Sequence, residues 1–361
     1  MSVTFHKFTL LMLMGRLIAA GQNNPEAPES LTESHAKEAE CTRAIPPTID
    51  SGQRSALDYY LELGGTSESR NQFALAEKHY ECGLYIAKNL FGERSEELGR
   101  VLNHLGEMRL EQGHLSEAEM TFHRALTILE SQKTENRVYE AAVLNNIGVA
   151  QQMRGNSSRA VTTMREAIAM FQAARVAGER LGTALSNLAT TLRQIGRSSE
   201  ATAAARSAVE VLECCQSSDE LPVSLITLGR IYFDSGDSAS AEKMYRRALD
   251  AVNSHTPGDS ATRALAYGHL GVLYGREGKM KEADQYFRDG IEMNSRVFSP
   301  AHPKVLDAMS AYASFLRANK RKGEAKKLEK FVQQHKSDTS EQELAGRYIV
   351  DAQSLRQNQS R

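Results

Sequence analysis

The chain has 361 residues, of which 41% are apolar and 25% charged, with a formal net charge of −1. Those are the proportions of a folded protein, and the near-zero charge excludes a global electrostatic pull toward nucleic acid or an anionic membrane. Only eight prolines occur, none between Pro47 and Pro222, so long helices are favoured. Low aromatic content without Trp argues against a β-sandwich.

The first 21 residues carry His6 and Lys7, an apolar run from Phe8 to Met14, then Arg16 and Ala19-Ala20. That order resembles a secretory signal cut near Ala20, so export to a periplasmic or extracellular space is expected if it operates, and a cytoplasmic protein if not. Residues 22–55 are polar and framed by Pro25, Pro28, Pro46 and Pro47, which reads as a partly disordered linker. No later segment reaches the length of apolar chain that a membrane span needs.

From residue 56 to 336 the sequence repeats itself. Ala76, Ala118, Ala160, Ala201, Ala241, Ala283 and Ala325 recur every 40 to 42 residues. Twelve residues before each stands a small residue: Gly64, Gly106, Gly148, Ala189, Gly229, Gly271 or Ala313. We number that small residue position eight of its unit. Bulky residues flank it at helical spacing, as Leu144 and Ile147 flank Gly148, so each unit begins with a helix burying one stripe. A second helix opens at the alanine, with a bulky residue four on and a small one seven on, as Met164 and Ala167 follow Ala160.

Small residues on both helices allow the axes to approach closely. Between them lies Asn71, Gly113, Gly155, Gly196, Gly236 or Gly278, residues suited to a left-handed helix end. Seven helix-turn-helix units follow, the signature of an all-α solenoid. The seventh is degenerate, with Lys320 in the turn, Glu329 at a bulky position and a basic run that reads as a solvated end unit. Residues 337–361 form a capping helix in this reading: Ser340 and Glu343 make a capping box ahead of Leu344, Tyr348, Ala352 and Leu355.

Segments such as Ala142-Val143-Leu144-Asn145-Asn146-Ile147-Gly148 and Phe298-Ser299-Pro300-Ala301-His302-Pro303 resemble the tetratricopeptide repeat, in the 42-residue form of kinesin light chains and many bacterial proteins. The resemblance covers Leu57 to Lys336, and departs from the family in lacking Trp at position four. It implies a right-handed α-solenoid whose first helices line a concave groove for peptide ligands.

The four cysteines, Cys41, Cys82, Cys214 and Cys215, have neither a disulfide-framework nor a zinc spacing and read as plain thiols. No catalytic or phosphate-loop motif occurs, so no enzyme, cofactor or metal is expected.

With positions four, seven, eight and eleven buried, positions two, five, six, nine, twelve and thirteen are expected to face the groove. They place there Asn103, His104, Asn145, Asn146, Gln152, Asn187, Arg193, Gln194, Arg230 and His269. Asparagine is a mediocre helix former, and its amide both donates and accepts, as an extended peptide backbone requires. Val149, Met153, Ile226 and Phe233 are expected to add apolar burial. The family's clamp for a terminal carboxylate needs basic residues at position two, where only Arg100 qualifies, so that ligand is not expected. The function implied is a non-enzymatic scaffold binding a segment of a partner protein; the alternative is a structural element that self-associates or stacks in an envelope complex through its terminal units.

Overall fold

The computed structural model describes Cys41 and residues 53–336, apart from 70–71, 133–136, 177, 215–219 and 256–260. The signal-like segment, most of the linker, the turn at Asn71 and the capping helix lie outside the described residues.

Fourteen α-helices make up seven pairs: α1 Gln53–Ser69 with α2 Phe73–Ile86, α3 Glu96–Glu111 with α4 Leu115–Ser131, α5 Val138–Met153 with α6 Ser157–Ala173, α7 Glu179–Gln194 with α8 Ser198–Glu213, α9 Glu220–Asp234 with α10 Ser238–His255, α11 Ala261–Arg276 with α12 Met280–Val297, and α13 Pro303–Ala318 with α14 Lys322–Lys336. The fold is an all-α helical-repeat solenoid. Helix α1 begins three residues before the boundary expected from the sequence, and α2 runs on into a π-helical turn, Ala87–Phe91.

Two compact units divide the chain. One holds the residues up to Met108 together with Met120–Thr134; the other holds Arg109–Glu119 and everything from Glu135 onward.

The pairing rule of the repeat is steric. A methyl group placed on Gly148 would lie 2.6 Å from Met164 Cγ, so the glycine is what lets α5 and α6 touch. A second close approach, at position one, was not read from the sequence: a methyl on Gly182 would lie 2.4 Å from Leu212 Cγ. In the second and fourth units the residue eleven after the alanine, Leu129 or Leu212, therefore packs against the start of the first helix.

The turns follow the expected chemistry. Gly155 has φ +84°, and the Asn156 amide donates back to Gln151 O at 2.8 Å, the six-to-one bond of a Schellman end. In the seventh unit Lys320 takes the same conformation at φ +62°, with Arg321 N donating to Leu316 O. The loop before that unit also behaves as expected: Pro303 opens α13, and His302 caps it, its Nδ1 accepting from Lys304 N at 3.2 Å. Burial, with Lys304 alongside, pushes the His302 imidazole down to about 4.

The cysteine reading is corrected. Cys41 and Cys82 form a disulfide, with Cα atoms 5.3 Å apart, and only Cys214 is free among the described residues. Cys41 is fully buried, and the Tyr60 hydroxyl donates to its carbonyl. The bridge lies within the first unit and fastens one point of the linker to the first helix pair. Sequence spacing is silent on this pair because it depends on where the linker returns in space.

Candidate functional site

The first helices bury more of their circumference than a single amphipathic stripe provides. Position ten is buried in Met108, Ala150, Thr191, Ile231, Leu273 and Phe315, and position three in Val101, Val143 and Ala184. Two of them reach the preceding pair: Thr191 Oγ1 lies 3.5 Å from Met164 Sδ, and Val101 packs on Gly83. A solenoid helix meets both its partner and its neighbour, and that second contact narrows the face left over for a ligand.

The narrowing corrects part of the expected site. Asn145 is only 8% exposed and His269 only 6%, so positions five and six of those units are not open surface. Ile226 and Phe233, expected as apolar lining, are likewise buried. His269 stacks on Tyr245 with ring centroids 5.3 Å apart, and its Nε2 has no hydrogen-bond partner. Burial, reinforced by Arg230 and Arg193, holds its imidazole well below the usual histidine range.

Two candidates belong to the other compact unit. His104 stacks on Tyr80, the bulky second-helix residue of the preceding pair, as His269 does on Tyr245. Desolvation lowers the His104 imidazole, but the hydrogen bond and charge of Glu107 outweigh it and leave it raised. Asn103 Nδ2 also donates to Glu107, at 2.8 Å.

The remaining candidates lie in the second unit, and several of them are joined to one another. Gln152 Nε2 donates to Gln194 Oε1 at 2.9 Å. Arg193 Nη1 donates to Asp234 Oδ2 at 2.7 Å, and Arg276 lies over the Phe233 ring, 4.8 Å from its centroid, while donating to its carbonyl. Each of these links position twelve of one unit to position thirteen of the next, as an amide pair, an ion pair and a cation-π pair in turn. Asn187 Nδ2 donates to Asn145 Oδ1 at 3.3 Å, and Asn145 Nδ2 to Asn146 Oδ1. The amides expected to await a ligand thus also hold successive first helices in register. Capacity remains: a primary amide offers two donors and a two-lone-pair oxygen, and the Gln152–Gln194 bond uses one donor and one lone pair.

A cavity of about 300 Å³ opens among α9, α11, α12 and α13, where no candidate had been placed. Its lining includes Val223 and Leu265 at position two and Gly268 at position five, with Phe287 and Asn294 on α12 behind them. Asn294 is the residue eleven after its unit's alanine; comparing that position across the repeats would have singled it out.

The basic seventh unit is partly neutralised, Arg317 by Glu329 and Arg321 by Glu324 within the unit and by Asp284 of the sixth. Among the described residues no group of three His, Cys, Asp or Glu side chains is placed to hold a metal, and no helix is long and apolar enough to cross a membrane.

The tetratricopeptide repeat family matches at residues 55–131, 223–251 and 263–304. No curated protein sequence matches the chain. Among solved structures, BtubC (BKLC) from P. vanneervenii is 16% identical, with 67% of this chain and 92% of that one covered and a TM-score of 0.50. The Rap protein complexed with Competence and Sporulation Factor is 14% identical over 79% of this chain and 98% of its own, with a TM-score of 0.52. Aspartyl phosphate phosphatase F from Bacillus subtilis is 11% identical over 97% and 94%, with a TM-score of 0.61. At these identities the likeness is one of fold.

Proposed function

Since this chain is a tetratricopeptide-repeat protein, and so a scaffold for protein interaction in general terms, we propose that it is a non-enzymatic adaptor that holds a segment of a partner protein along the first helices of its second compact unit. The observation that carries this reading is the row of side chains from Gln152 to Arg276. Their mutual bonds fix the side chains before any ligand arrives, and Asn146, Gln152 and Gln194 keep surface exposure on the same helices. Pre-orientation matters because association costs about 4 to 15 kcal/mol, while a single hydrogen bond returns about 0.5 to 1.5. The Rap protein, a solenoid of the same fold, complexed with its factor supports the reading by analogy of architecture.

The test is site-specific photocrosslinking in the source cells. A photoreactive residue at Asn146 captures a discrete partner band, and the same residue at exposed Ala203 on α8 does not. Equal capture from both positions overturns the assignment to the first-helix face.

We propose in addition that the protein is exported. The Cys41–Cys82 disulfide supports this, because such bonds persist in oxidising compartments, and so does the signal-like order of the first 21 residues. Sequencing the mature N-terminus tests it: a start near Gly21 is expected, and an intact Met1 or Ser2 in the processed protein refutes it.

A further inference from the structure

The cavity behind α11 is where the repeat departs from its own rule. Eleven residues after the opening alanine, the earlier units place Ala87, Leu129, Phe171, Leu212 and Val252, all buried and apolar. The sixth unit places Asn294, 6% exposed. Leucine at this position fills the space beside the first helix, as Leu212 does against Gly182. Where asparagine replaces it, the cavity appears.

The amide is not consumed by the protein. Asn294 Nδ2 lies 3.4 Å from the Lys304 carbonyl. A carbonyl only accepts, so the donor end of the amide faces Lys304 and the orientation of the group is fixed. Its Oδ1 accepts no hydrogen bond among the described residues, and the side chain lines the cavity. Much of the wall is apolar: Phe287 is buried beside Asn294, and Val223, Leu265 and Ala308 are half buried at the mouth, while Glu220, Thr262, Lys304 and Asp307 bring polar groups to the lining.

A slot of about 300 Å³ with a largely apolar wall and the Asn294 Oδ1 acceptor on its lining fits a flat side chain that is apolar along its length and carries a donor at its tip. We infer that this cavity receives a tyrosine side chain of the partner segment, with the ring between Leu265 and Ala308 and the phenolic O–H donating to Asn294 Oδ1. This rests on the groove reading above for its partner, because Val223 and Leu265 at the mouth occupy position two of the first helices. It adds a specificity that the amide row lacks, since backbone-directed hydrogen bonds are indifferent to sequence.

The experiment uses the full chain and a defined probe, so it does not depend on identifying the partner. N-acetyl-L-tyrosine methylamide is titrated against protein carrying ¹⁵N-labelled asparagine, and the Asn294 side-chain amide resonances are followed. A saturable shift is expected, with N-acetyl-L-phenylalanine methylamide at least ~10-fold weaker because it has no donor for Asn294 Oδ1. For Asn294→Leu, which restores the apolar residue of the other units, and for Ala308→Phe, which blocks the mouth, tyrosine-probe binding is read from the Phe287 ring resonances. Both variants lose that binding without a lower unfolding midpoint; if one fails to fold, the other decides. Absence of a saturable shift overturns the inference, as does equal binding of the phenylalanine probe or binding that survives in the folded variants. Loss of crosslinking at Asn146 with tyrosine binding intact would refute the groove reading alone.

Discussion

Gln152 donates to Gln194 at 2.9 Å across 42 residues, one full repeat, so a side chain expected to meet a ligand also ties the third pair of helices to the fourth. The bond joins two amides near the surface and is weak in isolation. Gln152→Ala and Gln194→Ala are each expected to cost under about 1 kcal/mol, with a coupling of about 0.5 kcal/mol in the double-mutant cycle. Urea unfolding of the four proteins measures it, and strict additivity would show that the two side chains act independently.

The contact of Gly148 with Met164 sets a sharper limit. Gly148→Leu inserts a side chain where even a methyl would lie 2.6 Å from Met164 Cγ. A loss of about 1 to 3 kcal/mol is expected, from overpacking and displaced helix axes. Met164→Ala in the same chain is expected to recover part of it, as read by thermal unfolding.

Lys320 stands at φ +62°, where every other described turn within a helix pair has glycine. The left-handed conformation costs a side-chain-bearing residue about 1 to 2 kcal/mol, and glycine's greater freedom when unfolded offsets part of the gain. Lys320→Gly is therefore expected to stabilise the seventh pair by about 0.5 to 1 kcal/mol. Amide exchange in α13 and α14 reports it, and unchanged protection would show that the end of the array opens by another route.

Reduction of the Cys41–Cys82 bridge, or Cys82→Ser, is expected to cost about 3 to 4 kcal/mol on the loop-entropy account for a separation of 41 residues. Non-reducing mass spectrometry after alkylation settles the pairing first. Labelling of both cysteines in the native, unreduced protein would rule the bridge out.

Acid is expected to weaken the fold through His269. Its folded imidazole titrates well below the ordinary 6.5, because of burial and then the nearby Arg230 and Arg193. The unfolded chain therefore binds a proton that the folded chain refuses. Stability is complete above about pH 6.5 and falls as pH drops, by at most about 1.4 kcal/mol per unit for this group. His302, lowered to about 4, adds a smaller loss in the same direction, limited by its partial exposure. His269→Gln is expected to flatten the decline between pH 6.5 and 5 in denaturant titrations, and a slope unchanged from the parent assigns the loss elsewhere.

The fold was legible because it is one-dimensional: a glycine that admits Met164 and an alanine that opens α6 recur with a fixed period, and repetition makes each visible against the others. The site was less so. Which residues lie on a first helix follows from counting, but whether position five or six is open depends on what packs beside it, and Asn145 and His269 are buried, His269 against Tyr245 of the preceding pair. The bridge from Cys41 depends on the path of a chain segment outside the repeats. Asn294 was readable in principle, as a polar residue in an otherwise apolar column, once the comparison ran to the end of the second helix.

In a stack of pairs held only by nearest neighbours, opening starts at an exposed end and travels inward. Here the two ends are not equivalent. The Cys41–Cys82 bond staples the leading pair, while the trailing pair has a lysine forced into a glycine's turn and an ion pair where a bulky residue would pack. Of the first and seventh described pairs, the seventh is therefore the more easily opened, and its opening would reach back toward the cavity at Asn294. A ligand seated there would act as a stop against it.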